Sequence, residues 1–351
     1  CFIIQDGVDV YGAFPKTGTP GMNERQALVS EYVYVQTERG CSPENYETIL
    51  EPVTTGVASG AKRRVLGQPY KYNPDKGNDT KRGTNSGILY CGTDYVGIVW
   101  DGFTLRNGVW DSRGLNRPNR YGGAGAAIYR NVTLKNVVVT NNTTIYTDAS
   151  ASQDFRAGGV YMDGGTLDAG YVINNLMEGW SSSSNAPSQS GAAYGGGMYL
   201  YTGTVFNSVV ANNHIYSAYA DGAGLFIENA NFFNNTIVNN KADGTNRASG
   251  GVAIWTDPGR GTDSKLTLYN CIIAQNEGFK GEAKSRGNKS TCFPREGMIE
   301  FYNCLTKVTT DYAGSDNKSF IKFNQCGAID DFTTIFETAG TYDDDFKNFN
   351  L

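Results

Sequence analysis

The chain has 351 residues, a formal net charge of −5 and a pI near 5.1, and only 19% of its residues are charged. This balance lacks the basic footprint of a nucleic-acid-binding protein, and no apolar run is long enough for a membrane-spanning helix. The 44 Gly and 22 Tyr residues, with few Lys and Glu, favour strands and tight turns over helices.

The N-terminal third has little regular spacing, and we interpret residues 1–100 as coils with long insertions. The segment Phe2–Ile4 is already strand-like, so we expect a fragment of a longer chain. The alternative is that Cys1 is the acylated cysteine of a bacterial lipoprotein. Three other cysteines could form disulfides, but the sequence leaves the pairing open; they are Cys41, Cys91 and Cys292.

Periodicity begins after residue 100. Five segments start with Gly and continue with apolar residues: 125–128 (GAAI), 159–162 (GVYM), 197–200 (GMYL), 224–227 (GLFI) and 251–254 (GVAI). In the first four, an Asn follows the Gly by sixteen residues: Asn141, Asn175, Asn213 and Asn240. In the fifth, a longer spacing to Asn276 fits an inserted loop around residues 257–261. A fixed spacing of this kind indicates a repeat architecture.

Two further strands recur in each repeat. The second strand usually ends in Asn and reads 103–107 (FTLRN), 132–136 (VTLKN), 165–169 (GTLDA), 203–207 (GTVFN), 230–234 (ANFFN), 266–270 (LTLYN), 299–303 (IEFYN) and 321–325 (IKFNQ). The third strand follows at once, as at 137–139 (VVV), 171–173 (YVI), 209–210 (VV), 237–238 (IV) and 272–273 (II).

Three short strands per repeat, with Gly or Asn at the corners, predict one turn of a β-solenoid. Each strand pairs with its equivalent one coil away, and stacking buries the apolar face that one coil cannot bury alone. We therefore predict an all-β, right-handed parallel β-helix over residues 1–326, with regular coils at 101–326 and a C-terminal tail or further segment at 327–351.

The corner residues have a structural interpretation. Stacked Asn side chains can bond to one another, and Asn tolerates the left-handed backbone of a sharp corner. We expect Asn136, Asn207, Asn234 and Asn270 to form one file. Three cysteines that follow corner residues, Cys271, Cys304 and Cys326, should be stacked buried thiols. Metal ligation by them is the alternative, although no His aligns with them.

The Gly-rich starts, the corner FFNN at 232–235 and the segment WDGFTLRNG at 100–108 resemble bacterial right-handed β-helix repeat proteins of the pectin-lyase-like superfamily. The short motifs are also similar to repeats of chlamydial polymorphic outer-membrane proteins. The resemblance implies the β-helix fold and a place outside the cytoplasm or on the bacterial surface. Because this fold hosts lyases, hydrolases and adhesins alike, it implies no single activity.

The outward face of the first strand supplies the candidate binding site. Alternation along the strands places two aromatic columns outside the core; their members are Tyr129, Tyr161, Tyr199, Tyr201, Phe226 and Trp255. Aromatic rings stack on sugar rings, so this face predicts a polysaccharide or cell-surface glycan as the partner. The alternative is that loops or a partner chain cover the rings. The polar stretches 143–157, 176–195, 214–221 and 241–249 are expected to be insertions lined up at one corner.

Asp163 and Glu228 are the candidate catalytic residues. If they share the second column, their separation approaches that of the carboxyl pair in inverting glycosidases. The hydrolase motifs of the superfamily are missing: no Asn-Thr-Asp, Gly-His-Gly or Arg-Ile-Lys segment occurs, and the only His is His214. A lone His after a corner is usually exposed. Asp111, Arg113, Arg117 and Arg120 could hold an acidic sugar.

No cofactor is expected. The densest acidic run, Asp343–Asp345, is solvated or a weak Ca²⁺ site. The sequence therefore predicts an extracellular or cell-surface adhesin-like or glycan-binding protein without catalysis. The alternatives are a polysaccharide lyase or glycoside hydrolase acting on an acidic or complex glycan, and a structural spacer in a larger surface protein.

Overall fold

The computed structural model describes residues 10–11, 48–50, 66–67, 97–111, 123–129, 132–147, 154–180, 191–255, 265–280, 292–296, 298–306, 321–324 and 327–328. In these ranges the chain forms strands and turns and no helix. The thirty strands are β1 Val10–Tyr11, β2 Thr48–Leu50, β3 Leu66–Gly67, β4 Ile98–Asp101, β5 Phe103–Arg106, β6 Val109–Asp111, β7 Ala126–Tyr129, β8 Val132–Lys135, β9 Val138–Thr140, β10 Thr143–Thr147, β11 Asp154–Arg156, β12 Val160–Asp168, β13 Tyr171–Ile173, β14 Leu176–Trp180, β15 Ala192–Tyr194, β16 Met198–Phe206, β17 Val209–Ala211, β18 His214–Asp221, β19 Leu225–Phe233, β20 Thr236–Val238, β21 Lys241–Ser249, β22 Val252–Trp255, β23 Lys265–Tyr269, β24 Ile272–Ala274, β25 Glu277–Lys280, β26 Cys292–Glu296, β27 Met298–Tyr302, β28 Leu305–Thr306, β29 Ile321–Asn324 and β30 Gly327–Ala328.

The strands form three parallel sheets that the chain visits in turn. Sheet A has the order β1-β4-β8-β12-β16-β19-β23-β27-β29, and β3, β7, β22 and β26 extend the first halves of its long strands. Sheet B has the order β2-β5-β9-β13-β17-β20-β24-β28-β30. Sheet C has the order β11-β15-β18-β14-β10-β6, with β21 and β25 following β18.

From β4 to β25, each coil contributes a strand to every sheet, and each strand pairs in parallel with its equivalent in the next coil. For example, β12 pairs with β16 in sheet A, β13 with β17 in sheet B and β14 with β18 in sheet C. This arrangement is a parallel β-helix with three strands per coil, and it confirms the predicted fold class. The strand β30 adds a last pairing, and the rest of the predicted C-terminal segment lies outside the described residues.

The core follows from the alternation of side chains along the strands. One continuous apolar cluster runs along the axis between the sheets, with Leu167, Val205 and Phe232 of sheet A against Val172 and Val210 of sheet B. Each of these side chains is 0% exposed. At roughly 1.5–3 kcal/mol for each fully buried large apolar side chain, this cluster is the main favourable contribution to folding.

A buried ladder of Asn side chains ties the coils together at the corner between sheets B and C. The Oδ1 atom of Asn213 accepts the backbone N–H of Asn175 at 3.0 Å and its Nδ2–H at 3.0 Å. The same pair of bonds recurs from Asn213 to Asn240. Each Nδ2 also donates to a carbonyl oxygen in the preceding coil, as Asn213 does to Val172 at 2.9 Å. The ladder members are Asn142, Asn175, Asn213, Asn240 and Asn276.

The ladder explains why each repeat starts with Gly. A Cβ atom on Gly197 would lie 2.6 Å from Nδ2 of Asn213, and one on Gly224 would lie 2.8 Å from Nδ2 of Asn240. Such contacts are too short for any side chain, so the Asn amide occupies the space that only Gly leaves open. The Gly-to-Asn spacing in the sequence is therefore a packing contact.

The structure corrects the first spacing by one residue. Thr140 pairs with Ile173, so Asn142 is the ladder member and Asn141 is the left-handed corner residue, with φ +54°. The first repeat has one more residue between Tyr129 and Val132 than the second has between the equivalent positions. The sixteen-residue spacing hid this shift because two Asn residues are adjacent at that corner.

A second, exposed Asn ladder marks the corner between sheets A and B. Asn234 donates to Asn207, Asn270 to Asn234 and Asn303 to Asn270, at 3.3, 2.9 and 3.4 Å. All four have φ near +53°, the left-handed region that Asn tolerates. The predicted file is confirmed for Asn207, Asn234 and Asn270, and Asn136 has the same left-handed backbone in its own coil, with Nδ2 bonded to Asp101.

Inside the fold, the residues that directly follow the corners between sheets A and B are bonded from coil to coil, and the last of these bonds joins two cysteines. Gly170 donates its N–H to Ser208 Oγ, Ser208 donates to Asn235 Oδ1, and Cys271 donates to Cys304 Sγ at 3.4 Å. Cys271 and Cys304 form no disulfide and are buried, as predicted. Cys326, like Cys1, Cys41 and Cys91, lies outside the described residues, as does the side chain of Cys292.

We expect Asn213→Ala to destabilise the protein by about 3 kcal/mol, because the change leaves buried donors of Asn175 without an acceptor. Urea denaturation followed by circular dichroism measures this. The control Asn229→Ala alters an exposed strand residue and should stay within ~0.5 kcal/mol of the parent chain. Equal losses in the two variants would contradict the role of the buried ladder.

We also expect Cys271 and Cys304 to resist iodoacetamide in the folded protein and to react after denaturation. Their side chains are 0% and 1% exposed, and burial raises the pKa of the Cys271 thiol well above its usual value. Peptide mapping by mass spectrometry detects the modification. Rapid native labelling of either residue would show that the thiol ladder is open to solvent.

Candidate functional site

The first aromatic column of sheet A lies outside the main core but is buried. Tyr161, Tyr199 and Phe226 are 2%, 0% and 1% exposed, and their rings stack in a file with centroids 5.8 and 5.1 Å apart. The expectation that these three rings form an open platform is therefore wrong. The alternative, that other segments of the chain cover them, is the arrangement found.

The cover comes from segments that the sequence indicated only as polar insertions. Parts of 143–157 and 176–195 return as β11 and β15, which pair with each other and extend sheet C through β18. Ala157, Ala192 and Tyr194 then pack on the file, and the Tyr194 ring lies 4.8 Å from that of Phe226. The strand character of these insertions was missed because small and polar residues dominate them.

The second predicted column is broken by a bulge. Asp163 pairs with Tyr129 on one side, but on the other it pairs with Thr202 and not with Tyr201. Thr202 in turn pairs with Asn229, the residue after Glu228. Asp163 and Glu228 therefore do not share a column, and the spacing argument for a carboxyl pair is wrong. Tyr201 is half-buried against the covered file, and the side chains of Tyr129 and Trp255 lie outside the described residues.

Glu228 instead belongs to a charged cluster above the aromatic file. The Tyr199 hydroxyl donates to Oε1 of Glu228, and Nη2 of Arg156 lies 3.6 Å from the same oxygen. The guanidinium of Arg156 also sits over the Tyr199 ring, 4.7 Å from its centroid. Because Arg156 ends β11, these contacts fasten the covering strand to sheet A, and they account for the burial of this face.

Burial raises the pKa of Tyr199 well above 10.0, and the negative charge of Glu228 adds to the rise, against the opposing effect of Arg156. The hydroxyl therefore stays protonated and remains a donor to Glu228 in neutral solution.

His214 is held in a polar cluster on the outer face of sheet C. Its Nε2 lies 2.9 Å from Oδ2 of Asp243, and Lys241 Nζ lies 3.2 Å from the same oxygen. Burial alone would raise the pKa of Asp243, but the hydrogen bond and charge of His214, with Lys241, lower it. The expectation of an exposed loop His is wrong, because His214 is half-buried at the start of β18.

A different aromatic file lies on the surface, on the second halves of the sheet A strands. Phe206 pairs with Phe233, Phe233 with Tyr269 and Tyr269 with Tyr302. The last three rings stack with centroids 5.5 and 5.1 Å apart and planes within 20°. Tyr269 is 37% exposed, and the other three are partly exposed. We call Phe206, Phe233, Tyr269 and Tyr302 the surface file.

The stacking leaves part of each ring uncovered. Parallel rings in contact are only about 3.5–4 Å apart, so centroids separated by 5.1 Å require that the rings be offset. Successive rings therefore overlap only in part, and a portion of each ring face stays open to solvent. An extended ligand along the file would meet a repeated apolar contact.

Polar columns border the surface file on both sides. The exposed Asn ladder, Asn207 to Asn303, follows it directly, and a column two residues earlier holds Thr204, Asn231, Thr267 and Glu300. Asn234, Asn270 and Asn303 each use one side-chain N–H for the neighbouring Asn, and each keeps a second N–H and acceptor capacity for other partners. These three columns define the candidate binding face.

The signal for this face was already in the sequence. Four consecutive second strands end in an apolar residue, an aromatic residue and Asn, as in Val205-Phe206-Asn207 and Leu268-Tyr269-Asn270. Since the apolar residue points inward, alternation places the aromatic residue outward. Sequence reasoning used these segments to establish the repeat and took the aromatic face from the first strand, where the tyrosines are covered.

Among the described side chains, no three His, Cys, Asp or Glu residues converge in a way that could hold a metal ion. The acidic run Asp343–Asp345 and the residues Arg113, Arg117 and Arg120 lie outside the described residues, as does the side chain of Asp111. Within the described ranges there is also no helix long and apolar enough to cross a membrane.

No protein-family model matches the chain, and comparisons with curated proteins and with solved structures also find no match. The β-helix architecture is therefore established by the strand pairing and the Asn ladders alone.

We expect Tyr199→Phe to make the protein less sensitive to alkali. A raised pKa means that the contribution of Tyr199 is fully present below pH 10.0 and is lost as the pH rises through the folded-state pKa. Removing the hydroxyl should reduce the fall in stability above pH 10 by up to about 1.4 kcal/mol per pH unit. Urea midpoints at a series of alkaline pH values measure this.

The control is Tyr219→Phe, which changes a tyrosine on sheet C that is 42% exposed. Its urea midpoints should fall with pH in the same way as those of the parent chain. An unchanged alkaline slope in Tyr199→Phe would contradict the buried Tyr199–Glu228 contact.

Proposed function

We propose that this chain binds glycans through the candidate binding face and acts outside the cytoplasm, as an adhesin-like or glycan-binding part of a bacterial surface protein. The observation that carries the proposal is the surface file of four aromatic residues, bordered by the exposed Asn ladder and by the polar column that holds Thr204, Asn231, Thr267 and Glu300. Carbohydrates present apolar C–H faces and many hydroxyls, and this face offers a partner for each.

The repetition of the face favours a polymer. Successive coils repeat along the axis at about 4.8 Å, so each coil presents an aromatic ring, an Asn and, in three of the four coils, a Thr or a further Asn at the same height. Extended concave or flat surfaces of this kind are how solenoid proteins bind long partners. A single weak contact made four times gives a useful affinity through multivalency.

The proposed family is the bacterial right-handed β-helix repeat proteins of the pectin-lyase-like superfamily. The support is the resemblance of the repeats together with the parallel β-helix and its Asn ladders. A location on the bacterial surface follows from that family proposal.

No described contact favours the enzymatic alternative. It relied on Asp163 and Glu228 sharing a column, and the bulge at Asp163 places them out of register. Glu228 is also engaged by Arg156 and Tyr199 as part of the contact that holds β11 in place.

We expect Tyr269→Ala to weaken polysaccharide binding roughly ten-fold, which corresponds to ~1.4 kcal/mol for one lost ring contact. The double variant Phe233→Ala with Tyr269→Ala should abolish retardation in affinity gels that contain soluble glucans, xylans or mannans. The reason is that adjacent rings of the surface file contact the same chain.

The matched control is Tyr219→Ala, which removes an exposed aromatic side chain from sheet C and leaves the surface file intact. Circular dichroism verifies that all variants are folded. Retention of full affinity in the double variant, or equal loss in the control, would reject the candidate binding face.

A further inference from the structure

We infer that Cys271 and Cys304 form a site for a disulfide cross-link between neighbouring coils, and that the bond forms only while the chain folds. In the structure both residues are in the thiol form. The inference adds a covalent modification to the fold and is independent of the proposed glycan binding.

The two cysteines occupy equivalent positions one coil apart. Tyr269 pairs with Tyr302 two residues before them, and Ile272 pairs with Leu305 directly after them. The backbone N–H of Leu305 donates to the carbonyl oxygen of Cys271 at 2.7 Å, which fixes the two strands against each other. In-register strands place equivalent Cα atoms about 4.8 Å apart, inside the roughly 4.4–6.8 Å range of disulfide-bonded pairs.

The Cys304 side chain leans toward the coil that holds Cys271. Its Sγ accepts the backbone N–H of Cys271 at 3.4 Å and lies 3.5 Å from the carbonyl oxygen of Leu268 in that same coil. A hydrogen bond also joins the two thiols, and it adds to the effect of burial in raising the pKa of the Cys271 thiol. The two sulfur atoms are therefore neighbours, and side-chain rotation is the movement that a disulfide bond needs.

The hydrogen bond to sulfur does not by itself require cysteine at these positions. In the preceding coils the equivalent residues are Ser208 and Asn235, whose side-chain oxygen atoms accept backbone N–H groups at 3.0 and 2.8 Å. A thiol sulfur is a weaker acceptor than a hydroxyl or amide oxygen. Two successive cysteines therefore weaken the hydrogen bonding at this corner, and a covalent bond between them is the property that Ser and Asn do not provide.

The oxidation needs an electron acceptor, and we assign this role to a disulfide-containing oxidant such as oxidised glutathione. The thiolate of one cysteine attacks a sulfur of the oxidant, forms a mixed disulfide and releases one reduced thiol. The thiolate of the other cysteine then attacks the protein sulfur of the mixed disulfide, and the second reduced thiol leaves. Two cysteine S–H bonds are lost and one S–S bond forms, while the oxidant takes up two electrons and two protons.

Burial determines when this reaction occurs. In the folded chain the side chains of Cys271 and Cys304 are 0% and 1% exposed, so a dissolved oxidant does not reach either sulfur. The raised pKa of Cys271 also keeps its thiolate fraction low. The bond therefore forms before the coils close over the thiols, and afterwards it is buried away from reductants. It joins residues 33 positions apart and so restricts the unfolded chain.

Peptide mapping after refolding tests the inference. Trypsin releases Cys271 in peptide 266–280 and Cys304 in peptide 296–307, and neither peptide has a second cysteine. Mass spectrometry without reduction should find these two peptides cross-linked when the reduced chain refolds from urea with oxidised glutathione. A reduced chain that is folded first and then given the same oxidant should hold at least about ten-fold less of the cross-linked pair, because its thiols are covered.

Serine variants separate this bond from other disulfides. One variant keeps only the Cys271–Cys304 pair and carries Cys1→Ser, Cys41→Ser, Cys91→Ser, Cys292→Ser and Cys326→Ser. Its oxidised form should have a higher urea midpoint than its reduced form, because the cross-link restricts the unfolded chain. The matched control adds Cys271→Ser, and its urea midpoint should be the same after oxidising and reducing refolding.

Three results would overturn the inference. Peptides 266–280 and 296–307 that stay separate after oxidising refolding, in a chain shown to be folded by circular dichroism, would exclude the bond. A cross-link from peptide 296–307 to the peptide that holds Cys326 would assign Cys304 to another partner. Rapid cross-linking of the folded, reduced chain by oxidised glutathione would contradict the formation of the bond during folding.

Discussion

The buried Asn ladder is the interaction on which the rest of the structure depends. Each amide satisfies a backbone N–H one coil back, donates to a carbonyl there, and fills the space opposite a Gly. Because a buried amide without its partners costs about 1–3 kcal/mol per group, a slip by one residue would be penalised in every coil at once. The ladder therefore fixes the register between coils, and the apolar core then packs along an axis already set. Hydrophobic burial supplies the favourable free energy of folding, and the Asn amides select this register over registers shifted by one residue.

This register produces two files of aromatic side chains, of which one is buried and the other is exposed to solvent. On the first halves of the sheet A strands, the insertions return as β11 and β15, and Arg156 binds Glu228 to close them over Tyr161, Tyr199 and Phe226. On the second halves, the corner to sheet B is tight, with one left-handed Asn, and no strand among the described residues covers the rings. The same alternation of side chains therefore gives a buried file on the first halves of the sheet A strands and an exposed file on the second halves. The difference is the length of the segment that follows each coil corner.

The sequence was sufficient for the fold and insufficient for the site. The fold could be predicted because it depends on periodic local requirements, namely Gly opposite an amide, Asn at left-handed corners and alternation along short strands. The burial of Tyr199 could not be predicted from the sequence. It depends on Arg156 and Tyr194, which belong to insertions whose composition resembles that of solvated loops. The bulge after Asp163 was also hidden, since a gain and a loss of one residue cancel in the spacing between Gly159 and Asn175. The surface file could be predicted from the sequence, because an aromatic residue precedes the corner Asn in four consecutive repeats and alternation places it on the outer face.

Hydrogen exchange of Asn side-chain amides, in protein labelled with ¹⁵N only at Asn, tests the central claim most directly. The account predicts two populations. The amides of Asn175, Asn213 and Asn240 should be protected for hours or longer, because their protons are buried and bonded across coils. The amides of Asn207, Asn234 and Asn270 should exchange rapidly. Uniformly fast exchange of all Asn amides would contradict the buried ladder, and with it the register that aligns the surface file.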